Sequence, residues 1–528
     1  MKKIDGIARA AGLVGLMTFL SRIAGYLRDV IVAYYFGATG TTDAFYVAFR
    51  IPNLLRRLFA EGSLTVAFIP VFTEYMEKEG REEAKRIADA VFTLLLIILV
   101  LVTAAGVIFS PLVIKLFASG FSPENFALAV GLNRIVFPYI LLVSLVALSM
   151  GVLNSLRHFF APAISPLLLN LGIIGTFLIL THFMDASIYW VGVGVIAGGV
   201  IQVVFQVPFL KARGFLFGLT KSLSHPAVKR IGLLMTPQLF GVAVYNLNIL
   251  ISTQYASHLP EGTVSYLYFA ERLIEFPLGI IAVSIATALL PSLSSYAAKG
   301  QRDRYVHDYT FALRLMLYIM IPALVGLIVL RVPICSVLYQ RGEFGYKETV
   351  LVSQALFGYA LGLWAVGGVR ITAPTFYALK DTKTPVIVAF LSLVLNASVG
   401  YLLAFTFDLK HIGIALASSC SAIVHFLILF ALINRRMGRI NFSETALSVF
   451  KAVVASLVMG TVAWWISELA PWSSPGLTWL KVAVLLGSVA AAGALYLYIT
   501  KLMGMEEAGY VWDMLMRKHK RSSPYGGD

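Results

Sequence analysis

Residues 91–108 of the chain read VFTLLLIILVLVTAAGVI, an apolar run of eighteen residues that contains no charge. A helix needs about 20 apolar residues to cross the roughly 30 Å hydrocarbon core of a bilayer. Similar runs recur along the 528-residue chain, which is 59% hydrophobic and 13% charged, with a mean hydropathy of +0.83. Because no soluble core could enclose that much apolar surface, the composition excludes a water-soluble enzyme. The long runs also exclude a disordered, collagenous or coiled-coil chain.

The apolar runs predict an all-α integral membrane protein with fourteen transmembrane helices. The predicted spans are 10–36, 43–72, 88–117, 128–154, 162–182, 189–210, 230–253, 264–296, 307–330, 350–377, 385–405, 412–433, 448–467 and 479–501. The first span is too long for a cleaved signal peptide and carries Arg22 and Arg28, so we expect it to remain in the membrane.

Lysines and arginines are distributed unevenly between the predicted loops. Those outside the spans lie mostly at the termini and in alternate loops, whereas the remaining loops hold only Arg331, Arg341, Lys347 and Lys410. Because loops rich in basic residues stay in the cytoplasm, this distribution predicts that both termini are cytoplasmic. Two ends on one side require an even number of spans, in agreement with fourteen. Membrane topology therefore explains the net charge of +15, and we expect no nucleic-acid partner.

Two short motifs occur twice in the chain. The sequence PVFTEY at 70–75 resembles PSLSSY at 291–296. A leucine-basic pair followed by a proline also occurs twice at nearly the same offset, as Leu156-Arg157 with Pro162 and as Leu379-Lys380 with Pro385. Six spans separate the copies, so we predict two parallel six-helix halves around a central cavity. The predicted organisation is 1–220 and 221–440 for the two halves, 441–501 for two additional helices and 502–528 for a basic cytoplasmic tail.

Ionisable side chains inside three predicted spans are the feature that points to function. They are Arg22, Arg28 and Asp29 in the first span, Asp43, Arg50, Arg56, Arg57 and Glu61 in the second, and Glu271, Arg272 and Glu275 in the eighth. A charge at mid-bilayer costs roughly 2.5–3.5 kcal/mol, so such residues should face a wet cavity or a partner. All six cations are arginines, whose planar guanidinium binds phosphate oxygens two at a time. This choice favours a multiply anionic ligand, such as a pyrophosphate, over a cation.

Helical spacing leaves a second interpretation open, in which the charges pair and merely lock helices together. Arg57 and Glu61 are four residues apart and Arg272 and Glu275 are three apart, spacings at which side chains of one helix meet. Three further pairs share a helix face: Arg22 with Asp29, Asn53 with Arg50, and Ser265 with Arg272. We leave Arg50 outside the core of the site because it lies toward the outer part of its span or on a pairing face. Prolines beside these charges, Pro52 and Pro277, predict kinks in their helices.

Other residues with reactive or ligating side chains are explained by packing. Cys335 and Cys420 lie far apart in sequence and form neither a disulfide framework nor a CxxC site. The eight histidines are scattered with none at i,i+4 spacing, so we predict no metal site. Gly194 and Gly198 form a small-xxx-small pair, which predicts close packing of two helices rather than a dinucleotide-binding loop.

Four stretches of the chain carry a resemblance to a known family. They are SRIAGYLRD at 21–29, TDAF at 42–45, PNLLRRLFAEG at 52–62 and YFAERLIEFP at 268–277. The first three closely resemble the start of the MurJ (MviN) lipid II flippases, and the fourth resembles the eighth helix of that family, which belongs to the MOP exporter superfamily. The resemblance extends over nearly the whole chain and includes the count of fourteen spans.

The resemblance implies a transporter rather than an enzyme, in the bacterial cytoplasmic (inner) membrane. It would move lipid II, the undecaprenyl-pyrophosphate-linked disaccharide-pentapeptide of peptidoglycan biosynthesis, from the inner to the outer leaflet. The family is described with a cationic cavity lined by helices 1, 2, 7 and 8 and a groove for the lipid tail formed by the last two helices. It also implies a monomer in contact with the cell-wall synthesis machinery.

Residues are carried over from the family by motif. The essential arginines fall on Arg22, Arg28, Arg56 and Arg272, with Asp29 beside them. The expected substrate-binding set is Arg22, Arg28, Asp29, Asn53, Arg56, Ser265 and Arg272, and the expected gating or charge-pairing set is Asp43, Arg57, Glu61, Glu271 and Glu275.

The chain departs from the family at one site. Some members hold sodium with acidic residues of helices 7 and 11, but spans 230–253 and 385–405 contain no Asp or Glu here, and their polar residues Asn246, Asn248 and Asn396 are neutral. We therefore expect neither a sodium site of that type nor a cofactor, and the membrane potential or another coupled cation would drive transport. Two other classes stay open: another MOP-type exporter, of oligosaccharide-lipids or cationic drugs, and a membrane enzyme acting on polyprenyl phosphates.

Overall fold

A computed structural model describes residues 2–56, 64–438 and 442–516 of the chain, and it describes the side chains of 12–56, 64, 67–235, 246–438 and 443–513. Every regular element in these ranges is a helix, so the predicted all-α fold is confirmed. The chain forms two compact units: the first comprises 1–268 with 342–344, and the second comprises 269–341 with 345–528. The predicted boundaries at 220 and 440 stay a prediction.

The helices follow one another with short connections. In chain order they are α1 Lys2–Phe36, α2 Gly40–Arg56, α3 Thr65–Lys78, α4 Arg81–Ile108, α5 Ser110–Ala118, α6 Pro123–Val136, α7 Tyr139–Ser155, α8 Phe160–Phe183, α9 Ile188–Ala212, α10 Pro226–Ser257 and α11 Thr263–Pro277. They continue as α12 Val283–Ala298, α13 Arg302–Val329, α14 Arg331–Tyr339, α15 Tyr346–Ala360, α16 Leu363–Ala378, α17 Lys383–Tyr401, α18 Lys410–Met437, α19 Phe442–Ser467, α20 Trp479–Leu502 and α21 Glu506–Met516. Two π-helical turns, Leu278–Ala282 and Leu402–Thr406, follow α11 and α17.

Within the described residues, ten helices or helix combinations are long and apolar enough to cross a membrane. The pair α15 and α16, bent by 43°, makes an eleventh if it is one span. These eleven coincide with eleven of the fourteen predicted spans. The first, second and seventh spans overlap α1, α2 with α3, and α10, and the count of fourteen stays a prediction. Leu101, Phe183 and Trp479 are 65%, 78% and 89% exposed, as expected for side chains that face lipid.

The first unit has an aromatic core and a tightly packed helix pair. Phe68, Phe72 and Phe215 are fully buried where α3, α4, α7 and the segment after α9 meet. Helices α8 and α9 approach so closely that a Cβ on Gly198 would lie 2.7 Å from the Leu169 carbonyl oxygen. The predicted packing role of Gly198 is therefore confirmed, since only a residue without a side chain fits there.

The second unit is organised around α13, whose buried tyrosines bind neighbouring helices. The Tyr305 hydroxyl donates to the Thr375 carbonyl of α16 at 2.6 Å. The Tyr318 hydroxyl lies 2.9 Å from the Thr500 hydroxyl of α20. Each bond satisfies a polar group that would otherwise be buried without a partner, so the tyrosines fix the register of α13 against both helices.

The predicted internal repeat is visible in the helices. Helices α4 and α13 each contain 28 residues and α5 and α14 each contain nine, and both pairs start at the same offset as the PVFTEY and PSLSSY motifs. The basic residues after α7 and α16, Arg157 and Lys380, both have positive φ angles, of 57° and 59°. Residues other than glycine rarely adopt this left-handed conformation. Both helices therefore end in the same uncommon way.

The two prolines beside the charged residues behave differently. Helix α2 continues through Pro52 to Arg56. After Pro277 the backbone changes to a π-helical turn over Leu278–Ala282 before α12 begins, because proline has no N–H to continue the α-helical pattern. The expected disturbance is therefore found at Pro277.

Candidate functional site

The first predicted cluster lies on α1, where Arg28 and Asp29 are neighbours in sequence. Their side chains are buried, with 5% and 0% of the residue exposed. Nη2 and Nε of Arg28 donate to Oδ1 of Asp29 at 2.7 and 3.1 Å. Either charge alone would be strongly disfavoured in an apolar interior, so the pairing explains how both can be accommodated there.

Two other helices hold the Arg28 guanidinium. Its Nη1 donates to Oδ1 of Asn170 on α8 at 3.2 Å, and its Nη2 donates to the Tyr268 hydroxyl on α11 at 3.1 Å. The Asn170 amide in turn donates to the Pro166 carbonyl at 3.1 Å. The Phe49 ring of α2 lies 5.1 Å from the guanidinium carbon, a cation–π distance. Four helices therefore fix the position of one arginine.

Arg50, which we left outside the core of the site, lies beside the same group. Its Nη1 donates to the Thr253 hydroxyl on α10 at 2.9 Å, and its guanidinium carbon lies 5.6 Å from the Tyr268 ring. Tyr268 also stacks on Tyr46 of α2, with ring centroids 3.8 Å apart. Sequence spacing could not reveal these contacts because the partners belong to helices that are distant in the sequence. The only sequence signal is that Tyr268 begins the YFAERLIEFP stretch at 268–277.

Asp43 holds the start of α11. The carboxylate is 2% exposed and accepts the backbone N–H groups of Gly262 and Ser265, both at 2.7 Å, and the Ser265 hydroxyl at 2.6 Å. Backbone N–H groups in the first turn of a helix have no partner within the helix, so Asp43 caps α11 from α2. Ser265, expected to bind substrate, directs its hydroxyl to Asp43.

The remaining predicted residues of the first unit are more dispersed. Arg22 is exposed on α1, six residues before Arg28. Asn53 donates to the carbonyl of the residue four positions earlier on α2, at 2.8 Å, and Arg56 is partly exposed at the end of that helix. Arg57 and Glu61 lie outside the described residues.

The eighth-span charges beyond Tyr268 belong to the second unit. Arg272 and Glu275 form the ion pair that their spacing predicts, with Nη1 and Oε2 3.6 Å apart and the side chains 34% and 39% exposed. Glu271 is partly exposed on the same helix. An ion pair this long and this exposed contributes little to stability.

Chemically, the cluster of the first unit combines guanidinium, hydroxyl and amide groups with the carboxylate of Asp29. Among the described residues, no group of three or more His, Cys, Asp or Glu side chains could hold a metal ion. Guanidinium groups held by several helices are suited to oxyanions, because their N–H donors are fixed in direction before a ligand arrives. Apolar membrane-crossing helices with such a polar cluster define a multi-pass membrane transporter.

Comparisons with known structures and families agree with this class. The chain superimposes on a solved structure described as "Lipid II flippase MurJ, inward closed conformation" with a TM-score of 0.79, 27% identity and coverage of 95% of this chain and 99% of that one. It also resembles an inward-facing multidrug resistance MATE family transporter of the MOP superfamily, with a TM-score of 0.67, 16% identity and coverage of 79% and 94%. The second likeness shows the fold alone.

The family model described as lipid II flippase MurJ matches residues 32–500. A lipid II flippase MurJ of Burkholderia cenocepacia is 35% identical over 512 residues, which cover 95% of this chain and 98% of the relative. A probable lipid II flippase MurJ of Vibrio cholerae is 34% identical, with coverage of 93% and 95%. The chain belongs to the MurJ lipid II flippase family, and the resemblance found in its motifs is confirmed.

Proposed function

We propose that the protein moves lipid II from the inner to the outer leaflet of the bacterial cytoplasmic membrane, as a transporter without catalytic activity. The observation that carries this proposal is the match to the family model described as lipid II flippase MurJ over residues 32–500. The arginine cluster on α1 and α2 supports it locally, because a pyrophosphate needs fixed donors of positive charge.

In this proposal Arg28, Arg56 and Arg272 hold the pyrophosphate, while Arg22 and Asn53 contact the rest of the head group and Ser265 holds Asp43. Arg28 is already paired with Asp29, so the phosphate must replace part of its present set of acceptors. The neutral acceptors, Asn170 and Tyr268, are the easier ones to replace. Such an exchange gives a site that is stable when empty and attractive to an anion when one enters.

The transport cycle follows from the proposed organisation. The two halves alternate between inward-open and outward-open states, both termini remain cytoplasmic, and the lipid tail lies along spans 448–467 and 479–501. The protein acts as a monomer that contacts the cell-wall synthesis machinery. The membrane potential drives the step, since each elementary charge that crosses 100 mV contributes about 2.3 kcal/mol.

The experiment is depletion of the native flippase in cells that carry a plasmid copy of this chain, followed by measurement of how much lipid II is accessible in the outer leaflet. Arg28→Ala should abolish accessibility and growth, while membrane insertion stays normal. Arg304→Ala, an exposed arginine at the start of α13, is the matched control and should behave like the unmodified chain. Growth on Arg28→Ala as the sole copy would overturn the assignment of the site.

A further inference from the structure

The residues directly after the last predicted span form a helix that packs on the second unit. Sequence analysis predicts a basic tail over 502–528, yet its first part, α21, contains Glu506, Glu507 and Asp513 and no basic residue. Between α20 and α21 the chain turns at Gly504, whose φ of 65° is unfavourable for residues with a side chain. Glu507 is 1% exposed, so its carboxylate lies among the helices of this unit rather than in water.

The Glu507 carboxylate binds two other helices through one oxygen atom. Its Oε1 accepts from Nε of Arg314 on α13 at 2.5 Å and from the hydroxyl of Ser448 on α19 at 2.9 Å. One turn further along α21, the Tyr510 ring packs edge-on against Phe311 of α13, with ring centroids 5.6 Å apart. Helix α21 therefore contacts α13 through an ion pair and a ring contact, and α19 through a hydrogen bond.

Burial strengthens the attraction between Arg314 and Glu507. The Arg314 side chain is 15% exposed, and water screens charges less at such a position. Two other carboxylates, Glu506 and Glu444, lie 3.3 and 3.9 Å from the same guanidinium, but their side chains are 64% and 61% exposed. Because exposed ion pairs contribute little, Glu507 is the one of these three carboxylates that fixes Arg314. Removing it would leave a largely buried guanidinium without its main acceptor.

The contacts of Glu507 lie where α19 and α20 have no covalent connection. At one end these helices are joined by residues 468–478, and the Lys481 ammonium donates to two carbonyl oxygens of that connection at 2.6 and 3.1 Å. At the opposite end α19 begins and α20 ends, so only non-covalent contacts can hold them together. There Lys451 of α19 donates to the Met503 carbonyl directly after α20 at 2.8 Å. Glu507 attaches α13 to the same junction.

We propose that Glu507 is a positioning residue that fastens the unconnected ends of α19 and α20 to α13, and so fixes the shape of the surface along which the lipid tail lies. This inference rests on the proposed function, in which the tail follows spans 448–467 and 479–501. A long apolar chain binds through contacts along its whole length, so a surface that changes shape loses contact with many methylene groups. A short chain on the same pyrophosphate makes few of these contacts and is affected little.

Chain length therefore provides the test, on the full-length protein in detergent micelles, with undecaprenyl pyrophosphate and the much shorter farnesyl pyrophosphate as probes. Glu507→Leu removes the acceptor at similar volume, and it should weaken binding of the long lipid by roughly tenfold while binding of the short one stays unchanged. Glu507→Gln keeps the shape and a neutral acceptor, so it should show the same selectivity with a smaller loss. Asp513→Asn, an exposed position on the same helix, is the matched control and should bind both lipids like the unmodified chain.

The two lipids distinguish a positioning role from a general loss of structure. Equal losses for both lipids, or unchanged binding of the long lipid, would overturn the role of Glu507. The melting temperature of each variant is measured in the same micelles, and Glu507→Gln decides the question if Glu507→Leu does not fold. If Arg28→Ala bound both lipids normally, the proposed pyrophosphate site would be wrong. If Arg28→Ala lost both lipids while the Glu507 variants lost neither, only the role of Glu507 would be wrong.

Discussion

At the scale of single residues, some charged side chains in the membrane pair with neighbours in sequence, and others are held by partners that lie far away in sequence. Helical spacing placed Asp29 on the same face as Arg22, yet the carboxylate pairs with the adjacent Arg28. The Arg272–Glu275 pair was predictable because both residues lie on one helix at i,i+3. The contacts of Arg50 were not, since they depend on where α10 and α11 pack.

Asp43 gives a residue-scale prediction about stability. Asp43→Asn should destabilise the first unit by about 1–3 kcal/mol, because the new amide N–H₂ would face backbone N–H groups that now donate to a carboxylate. The measurement is the thermal unfolding midpoint of the purified protein. Asp185→Asn, an exposed position in the α8–α9 connection, is the control and should leave the midpoint unchanged. Equal midpoints for the two variants would contradict the capping role of Asp43.

At the scale of elements, the two halves of the chain repeat one contact between helix ends. Arg81, the first residue of α4, donates to the carbonyl of Arg213 at the end of α9. Arg302, the first residue of α13, donates to the carbonyls of Arg436 and Met437 at the end of α18, at 3.0 and 2.5 Å. We call these contacts the first and second clasp. The repeated motifs predicted that the halves were related, but not that their helix ends were joined in this way.

In each clasp, the arginine whose carbonyl accepts also donates from its own side chain, and its acceptor differs between the two clasps. Nη2 of Arg213 lies 2.9 Å from Nδ1 of His158, and Nη1 of Arg436 lies 2.5 Å from Oδ2 of Asp381. His158 and Asp381 occupy equivalent positions in the repeat, each directly after the left-handed residue that ends α7 or α16. The first clasp therefore contains a titratable imidazole where the second contains a carboxylate.

The two acceptors respond to different ranges of pH. Burial and the neighbouring Arg213 lower the pKa of His158, while hydrogen bonds from Thr384 and the ion pair with Arg436 lower the pKa of Asp381 from 3.8 to about 2. A lowered pKa means that each group stabilises the fold in its deprotonated form. The contribution of His158 is complete above about pH 6.5 and declines below it, whereas that of Asp381 declines only below about pH 3.8.

Between pH 7.5 and pH 5.5, only the first clasp should therefore loosen. Protonated His158 cannot accept from Arg213, and the neighbouring charges of Arg213 after α9, Arg81 of α4 and the adjacent Arg157 disfavour a second positive charge there. Hydrogen–deuterium exchange, corrected for the intrinsic effect of pH, should show several-fold faster uptake at pH 5.5 in residues 154–163 and no change in residues 377–386.

Exchanging the two acceptors provides the matched control. His158→Asp should make residues 154–163 insensitive to this change of pH, and Asp381→His should transfer the sensitivity to residues 377–386. If both peptides responded alike in the unmodified protein, or if His158→Asp kept the original response, the difference between the clasps would have another cause.

At the scale of the whole molecule, composition and span length were sufficient to predict the class of fold. Eleven of fourteen predicted spans coincide with helices that are apolar and long enough to cross a bilayer, because a bilayer imposes one length and one polarity on every crossing. The count of fourteen stays a prediction, because the first, second and seventh spans include residues that lie outside the described side chains.

The whole-molecule prediction concerns the force that drives transport. A pyrophosphate head group carries negative charge, so an inside-negative potential favours its movement outward, by about 2.3 kcal/mol for each net charge and each 100 mV. With one net charge moved, imposing 100 mV across proteoliposomes should shift the distribution of lipid II between leaflets by roughly fiftyfold, and reversing the potential should reverse the shift. The measurement is leaflet accessibility of fluorescent lipid II with a potassium diffusion potential. A distribution that ignored the potential and followed a sodium gradient instead would show that this chain couples transport to sodium without acidic residues in spans 230–253 and 385–405.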